Sequence, residues 1–345
     1  MSKCVFLWSG DLKSFIGKLS ETYQVYLPVK KGTQRFYKKY VPDLNNIVMG
    51  EVRPFEPLKA FFFRAKEVVA ESFENRVPSP PADKPLAILG VKACDLKGFK
   101  VEDFVFSNNT DPDPFYLKNR ERNLIISSDC TCAIDTCFCL ALGLKPFPQE
   151  NFDLNFSPIQ DGYIVEVGSS KGESLIKQHT SYFKEVAKVQ EDERYRQRNQ
   201  VLQDVETNLK QFDVPSQDRF QGAVERNFDS KIWEDEAKTC VECGACNAIC
   251  PTCHCFLLYD QKDEKKMERL RIWDSCMIKD FARVAGGANP RKKLWMRLRN
   301  RFEKKFDFFP KVANVYACTG CGRCISACPA KIDIRKVLKR LVIGS

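Results

Sequence analysis

The sequence predicts an α+β fold, in which a mixed α/β N-terminal domain is followed by a helix-rich C-terminal domain. Three observations favour this fold: short apolar runs in the first half, a long polar stretch at 181–212, and a repeated cysteine pattern near the C-terminus. A chain of 345 residues has room for two or three domains. We place them at 1–180 and 236–345, joined by a helical linker at 181–235, and expect a helical insertion in the second domain.

Two short apolar runs in the first half predict neighbouring buried strands. They are Leu86–Val91 and residues 124–127, and both are bounded by turn residues. Cys94 follows the first run and Cys130 follows the second. We expect both cysteines at the carboxyl ends of adjacent strands, because a rigid sheet positions the loops that carry function. Further on, Asp161-Gly162 predicts a hairpin turn.

The remaining segments include more helices. Residues 55–70 indicate a short strand or loop that passes into a helix, and the Pro-rich stretch 75–84 indicates a loop. The polar stretch 181–212 predicts a solvated helix that links the two domains. Residues 291–306 combine basic residues with apolar ones at helical spacing, which predicts an amphipathic helix. Near the end of the chain, Asp333 is placed to cap a short helix.

The compartment and the redox state of the cysteines follow from what the sequence lacks. No apolar run approaches the roughly 20 residues that span a bilayer. The apolar stretch at residues 4–8 is too short for the core of a secretion signal. We therefore expect a cytoplasmic protein. Because cytoplasmic thiols are kept reduced, the 17 cysteines indicate metal ligands and buried thiols rather than disulfides.

Two cysteine runs of identical spacing form an internal repeat. Each has the pattern C-x2-C-x2-C-x3-C-P, and the runs begin at Cys240 and Cys318. Bacterial ferredoxins with two [4Fe–4S] clusters have this spacing, and the fourth cysteine of each run ligates the cluster of the other run. The predicted ligands of cluster A are Cys240, Cys243, Cys246 and Cys328. The predicted ligands of cluster B are Cys318, Cys321, Cys324 and Cys250.

Two alternative readings of these runs are weaker. Zinc ribbons use two C-x2-C pairs with a long spacer, and a tetrahedral zinc site does not need the third closely spaced cysteine. Residues 250–254 match the C-x-x-C-H pattern of haem attachment. Cluster B already requires Cys250, however, and that attachment requires an exported chain. The helix-rich domain is therefore predicted to contain a bacterial-type two-[4Fe–4S] ferredoxin module.

The net charge of +10 is concentrated in the C-terminal part. From residue 240 onwards there are 22 Lys and Arg against 10 Asp and Glu, while the preceding residues have 33 against 35. A basic half indicates nucleic acid or an acidic partner. Because a thiolate-bound [4Fe–4S] core is anionic, we expect part of the excess to surround the clusters. The basic stripe 291–305 supports a nucleic-acid hypothesis, but its apolar positions favour a packed face, and we predict no nucleic-acid partner.

The first half contains a second group of cysteines whose spacing is not that of a ferredoxin. The spacing alone indicates a metal site but not which metal or cluster it binds. The alternative is a group of buried thiols, since free cysteine packs as a small hydrophobe. The group comprises Cys94, Cys130, Cys132, Cys137 and Cys139.

Several motifs resemble those of a known family. They are KACD at 92–95, DPFY at 113–116, TCFC at 136–139, CPTCHC at 250–255, WDSC at 273–276, RKKLW at 291–295 and CTGCGRC at 318–324. The chain resembles the β subunit of cytosolic sulfhydrogenases and the A subunit of anaerobic sulfite reductase, from about residue 58 onwards and most weakly before it. The resemblance implies a third [4Fe–4S] cluster with ligands Cys94, Cys130, Cys137 and Cys139. Cys132 departs from the pattern and is the alternative to Cys130.

The same resemblance implies the role of the chain. Such subunits relay single electrons between a flavin- and NAD(P)-binding subunit and a catalytic subunit, which is a nickel–iron hydrogenase or a sirohaem sulfite reductase. The sequence has no dinucleotide or phosphate-loop motif and no nucleophile–base pair, so we predict no catalytic residue and no organic cofactor. The alternative is a stand-alone reductase that uses the N-terminal cysteine site as its substrate site.

A few family-matching residues have structural explanations. Cys253, Cys255 and Cys276 are expected to be buried or cluster-adjacent thiols. A fourth cluster there requires one more ligand, such as Cys4 or His254. Asp95 directly follows a predicted ligand, and we expect it to cap the next helix.

Overall fold

The computed structural model describes residues 4–71, 84–107, 110–263 and 266–344. Most of the predicted Pro-rich loop, residues 75–83, lies outside the described residues. The strands are β1 (Cys4–Trp8), β2 (Gln24–Lys31), β3 (Gln34–Lys39), β4 (Lys66–Glu71), β5 (Leu86–Val91), β6 (Leu124–Ser128), β7 (Leu154–Ile159), β8 (Gly162–Val167), β9 (Phe183–Lys184), β10 (Phe256–Asp263) and β11 (Lys266–Trp273).

The helices alternate with these strands in the first half and predominate in the second. They are α1 (Leu12–Thr22), α2 (Ala93–Leu96), α3 (Gly98–Phe106), α4 (Pro114–Arg122), α5 (Ser170–Gln178), α6 (Lys188–Gln211), α7 (Ala223–Arg226), α8 (Ile232–Ala237), α9 (Ala245–Ala248), α10 (Leu294–Glu303), α11 (Phe309–Ala313), α12 (Arg323–Ser326) and α13 (Ile334–Ile343). The predicted α+β class is confirmed.

Most of the strands form one large mixed sheet. In the described part of the chain its order is β3-β2-β5-β6-β7-β8-β1-β9, and the neighbours from β2 to β7 run parallel. All six residues of β5 are buried, as expected for a strand with both faces covered. Ala87 packs with Phe15 of α1 on one face, and Ile88 packs with Phe99 of α3 on the other.

The two predicted strands of this sheet are confirmed as parallel neighbours. Ala87 lies opposite Leu124, so the loops that leave both strands begin at the same edge. The predicted hairpin is also confirmed, since β7 and β8 pair antiparallel with Ile159 opposite Gly162. These strands therefore direct the N-terminal cysteine loops to one place.

A smaller sheet joins the two halves of the chain. Its order is β10-β11-β4, so a strand of the first half pairs with a hairpin of the second. The prediction that residues 55–70 pass into a helix is wrong. Their C-terminal part lies in the strand β4, which pairs with β11. On β11, the buried Arg271 pairs with Glu67 at 2.7 Å and also with Asp113. The pairing overrides the local sequence pattern.

The predicted linker helix is present as α6, but it is not solvated on all sides. Val201 and Val205 are buried, and the helix packs against β7. Arg198 of α6 forms an ion pair of 2.7 Å with Asp129, which directly follows β6. The helix thus covers the edge of the large sheet at which the cysteine loops begin.

The second half has its own core. The predicted amphipathic helix begins at Leu294 and continues through a π-helical turn, Lys304–Phe308, into α11. Leu298 and Phe302 lie in this core with Trp233, as the predicted apolar inner face requires. The predicted cap of α13 is confirmed, since the Asp333 side chain accepts a hydrogen bond from the amide of Arg335.

Candidate metal centres

The first C-terminal cavity contains the four cysteines predicted for cluster A. Its volume is about 570 Å³, and its lining includes Cys240, Cys243, Cys246 and Cys328. Cys328 belongs to the second run and follows the last cysteine of the first run, Cys250, by 78 positions. The β10–β11 hairpin and α10 lie in this interval. The fold thus brings the fourth cysteine of one run to the first three of the other.

The converse holds for the four cysteines predicted for cluster B. Cys250, from the first run, lies close enough to Cys318 and Cys324 for their charges to interact, and Cys324 interacts with Cys321 in the same way. Burial raises the pKa of Cys318 to about 12, against the opposing effect of Lys305. The fold therefore places Cys250 beside the second run, where the predicted crossed ligation requires it.

Glycines in the second run permit a close approach to the N-terminal cysteine loop. Gly320 and Gly322 have φ values of +63° and +70°, which L side chains rarely adopt. A Cβ atom on Gly322 would lie 2.1 Å from the carbonyl oxygen of Thr136, and one on Gly320 would lie 2.5 Å from the Cα of Cys139. The amide of Phe138 donates a hydrogen bond of 2.9 Å to the Gly320 carbonyl. The two loops therefore pack backbone to backbone.

The N-terminal cysteines surround a cavity of about 410 Å³. All five line it, together with Cys321 of the second run. Cys130 interacts electrostatically with Cys94, Cys137 and Cys139, and burial raises its pKa to about 12. Cys132 is half-buried; its strongest interactions are with Glu51 and Arg35, and it also interacts with Cys130 and Cys137. Cys130 thus lies deeper among these cysteines than Cys132 does.

Two polar side chains hold these loops in place, and sequence reasoning missed both. The ammonium of Lys92 is buried and donates hydrogen bonds to the carbonyls of Met49 and Asp129, at 2.8 and 3.0 Å. Burial lowers the pKa of Lys92, and the charge of Cys130 opposes that effect. Asn208 of α6 donates a hydrogen bond of 2.7 Å to the Ile134 carbonyl.

The three cysteine sets lie in series. Cys324, which is predicted to ligate cluster B, also interacts with Cys246 and lines the cavity of cluster A. Cys321, from the same predicted set, lines the N-terminal cavity. The cluster B set is thus in contact with each of the other two.

Several cations of the C-terminal half are buried around these sulfurs. Arg301 and Lys305, which belong to the predicted basic stripe, are 5% and 3% exposed. The Lys305 ammonium lies 3.3 Å from the Cys250 sulfur. Burial alone would lower the pKa of Lys305, but the charges of Cys250 and Cys253 outweigh it and raise the pKa. The helix therefore presents these cations to the cysteine loops rather than to nucleic acid.

The surroundings of the two ferredoxin-type sets fit anionic clusters. Arg301 interacts with Cys246 and Cys324, and its Nη2 has no hydrogen-bond partner among the described residues. A buried guanidinium without a carboxylate is costly unless negative charge lies nearby. Two four-cysteine sets with such cations beside them match thiolate-bound [4Fe–4S] groups in donor chemistry and in charge.

The expected role of Asp95 is wrong. Helix α2 begins at Ala93, so Asp95 lies within its first turn rather than before it. One carboxylate oxygen accepts a hydrogen bond of 3.2 Å from the Leu58 amide, and the other lies 2.8 Å from the Arg323 guanidinium. Asp95 therefore connects the N-terminal site to the second cysteine run.

The three remaining family cysteines lie together at a further cavity. Cys253, Cys255 and Cys276 line about 320 Å³ beside Arg301, and His254 lines it as well. Cys4 is elsewhere, on β1 between β8 and β9 of the large sheet, with its sulfur 3.7 Å from Nη1 of Arg194.

Within the described residues, no group of three or more His, Cys, Asp or Glu side chains is close enough to hold a single metal ion. The cysteines surround cavities instead. The same part of the chain contains no helix with the length and apolar character needed to cross a membrane.

Comparison with known proteins agrees with this geometry. Residues 239–332 match the family of 4Fe-4S dicluster domains, a range that includes both cysteine runs. The chain is an iron–sulfur electron-transfer protein that holds two [4Fe–4S] clusters in this region. It is 32% identical to sulfhydrogenase 2 subunit beta of Pyrococcus furiosus over 351 positions, which cover 99% of this chain and 98% of that protein. The chain belongs to the sulfhydrogenase β-subunit family, and the similarity includes residues before 58, where the motifs resemble the family most weakly.

Proposed function

We propose that this chain is the electron-relay subunit of a cytoplasmic, hetero-oligomeric redox complex. It passes single electrons between a flavin- and NAD(P)-binding subunit and a catalytic subunit of the hydrogenase or sulfite/sulfur reductase type. The observation that carries the proposal is the series of three adjoining cysteine-lined sites. The relative from Pyrococcus furiosus is named as a sulfhydrogenase subunit, which supports a place in such a complex.

The residues assigned to each site follow the contacts described above. Cluster A takes Cys240, Cys243, Cys246 and Cys328, and cluster B takes Cys318, Cys321, Cys324 and Cys250. A third [4Fe–4S] cluster takes Cys94, Cys130, Cys137 and Cys139. When bound, such clusters accept and donate one electron each. The remaining steps depend on the chain itself, which fixes the spacing of the sites and supplies cations to balance their charge.

Both ends of the series approach the protein surface, while its centre is buried. Cys243 is exposed, and the neighbouring Val241 is 63% exposed. At the other end, Cys132 is half-buried beside an exposed Thr131. Cys250 and Cys318, at the centre, are buried. A relay between two partner subunits requires this arrangement, because each partner needs access to one end only.

Purification from the native source under mild, anaerobic conditions tests the proposal. We expect a tagged chain to co-purify with a flavin-containing subunit and a nickel–iron or sirohaem subunit. Isolated chain should hold at least about twelve iron and twelve sulfide, four for each of these three clusters. A chain that purifies without partners contradicts the subunit assignment. Substrate turnover by the isolated chain with a chemical reductant contradicts a pure relay and supports the stand-alone reductase.

A further inference from the structure

The hairpin β10–β11 brings three cysteines together outside the three sites above. Cys253 and Cys255 immediately precede β10, and Cys276 follows β11. At the base of the hairpin, Phe256 pairs with Trp273, and the Asp274 amide donates a hydrogen bond of 2.9 Å to the Cys255 carbonyl. The three cysteines therefore line one cavity of about 320 Å³ because the strands of the hairpin pair in this register.

A histidine, His254, belongs to the same lining. Its Nδ1 lies 3.1 Å from the Thr252 carbonyl, which can only accept, so Nδ1 carries the proton and Nε2 carries the lone pair. Histidines that bind metals commonly donate their other ring N–H to a carbonyl in this way. The ring of His254 packs between Phe106 and Phe309, with centroids 6.5 and 5.6 Å away. These contacts fix its orientation.

Hydrogen-bond donors and cations surround the sulfurs, as a thiolate-bound anionic group requires. Asn247 donates to the Cys276 sulfur at 3.0 Å, and the Lys304 ammonium lies 3.9 Å from the Cys255 sulfur. Lys305 and Arg301 also line the cavity. Arg301 thus borders this site as well as the cavity of cluster A.

We propose that this cavity binds a fourth [4Fe–4S] cluster, with Cys253, Cys255 and Cys276 as thiolate ligands and Nε2 of His254 as the fourth ligand. A cluster fits better than a single ion, because in the described chain these side chains surround a space and do not converge on a point. The Cys253 side chain is in hydrogen-bond contact with that of Cys250. The fourth site therefore adjoins cluster B and forms a branch from the linear series.

Iron and sulfide analysis of the full chain, reconstituted anaerobically, tests this site. Cys276→Ala and Cys255→Ala should each lose about four iron and four sulfide relative to the wild-type chain. Cys4→Ala, which alters a cysteine on β1 remote from the site, is the matched control and should lose none. The difference between variant and wild type decides the outcome, because the wild-type total also depends on the N-terminal site.

A second measurement begins with the wild-type chain, in which no substitution can disturb folding. Pulsed electron paramagnetic resonance of the reduced wild-type chain should show hyperfine coupling from a directly bound nitrogen, and His254→Cys should remove the coupling while keeping the iron. The proposal would be overturned if Cys276→Ala kept all its iron, or if the wild type showed no nitrogen coupling. It would also be overturned if the wild type bound one zinc per chain and Cys276→Ala did not. None of these results removes clusters A and B, so the proposed electron relay would stand.

Discussion

The carboxylate of Asp95 and the guanidinium of Arg323 form an ion pair of 2.8 Å in which neither side chain is exposed. Asp95 directly follows Cys94, and Arg323 lies between Cys321 and Cys324. The pair thus joins the N-terminal cysteine site to the second ferredoxin-type run. Arg323 also donates hydrogen bonds to the carbonyls of Pro54 and Phe55, so one guanidinium holds the loops of both halves together.

We predict that Asp95→Asn lowers the free energy of unfolding by about 3–5 kcal/mol, because it leaves the buried Arg323 guanidinium without its carboxylate partner. The asparagine oxygen still accepts from the Leu58 amide, so the change isolates the charge. Guanidinium unfolding under anaerobic conditions measures the effect. Arg269→Met, which removes an exposed pair with Asp260, is the control and should have a much smaller effect. Equal losses in the two variants would contradict the structural role of the buried pair.

Crossed ligation predicts different outcomes for the two fourth cysteines. Cys250→Ala should remove cluster B and leave cluster A, while Cys328→Ala should do the reverse, with about four iron lost in each case. Because Cys328 lines the cavity of the first run, the prediction follows from position as well as spacing. Mössbauer spectra of the two variants should lack different components. Cys240→Ala, a variant of the first run, should lose the same component as Cys328→Ala. A loss shared with Cys250→Ala instead would show that each run binds its own cluster.

The close packing of Gly322 predicts a specific effect of a single methyl group. In Gly322→Ala, the new Cβ meets the Thr136 carbonyl oxygen, so the loop that carries Cys137 and Cys139 must move. We expect reduced stability and loss of the N-terminal cluster, detected as about four fewer iron per chain. Gly287→Ala is a matched control, since Gly287 has φ of +83° but nothing within 4 Å of its Cβ position. In the control, only the backbone strain should lower the free energy of unfolding, by about 1–2 kcal/mol, and the iron content should not change.

We predict that substitutions of Cys130 and Cys132 have different effects on the third cluster. Cys130→Ser should lose the third cluster, because its sulfur interacts with those of the other three assigned ligands. Cys132→Ser should retain it, since the strongest interactions of that side chain are with residues outside the set. Iron content and the spectrum of the reduced chain distinguish the two variants. The opposite result would assign Cys132 as the ligand.

We predict that the charge of Arg301 affects the reduction potentials of clusters A and B. Its charge lies beside Cys246 and Cys324, from the cluster A and cluster B sets, and favours the more negative reduced state of each. Arg301→Met should therefore lower both reduction potentials, by an amount on the order of tens of millivolts. Redox titration followed by electron paramagnetic resonance measures the shift. Arg299→Met is the control, since Arg299 stacks on Phe228 and lies near Asp229 instead. Potentials that do not change in Arg301→Met would show that other groups balance the clusters.

The predictable part of this protein rests on local patterns. The spacing of the two cysteine runs predicted which cysteines meet, because a short loop around a cluster leaves little geometric choice. The buried strands β5 and β6 were predictable because their apolar runs are short and bounded by turn residues. The apolar face of α10 followed from its helical spacing in the same way.

The features that sequence reasoning missed depend on distant partners. Residues 55–70 gave no sign that β4 would pair with β11, since the completing edge lies in the other half of the chain. Part of the basic excess was expected around the clusters, but the sequence did not show that Arg301 and Lys305 would be the buried cations of this stripe. Asp95 was expected to cap a helix, and only the fold shows the arginine that it contacts. In each case the deciding interaction is tertiary.

The pairing of β4 with β11 has a consequence for biosynthesis. As the chain leaves the ribosome, β4 emerges early and its partner emerges only after every strand of the large sheet. The N-terminal half must therefore wait, with one strand edge open, until the hairpin has been translated. The N-terminal cysteine site is also bordered by the second cysteine run, so its lining is complete only after that run has been translated. The two halves are thus unsuited to exchange as independent modules between different redox complexes.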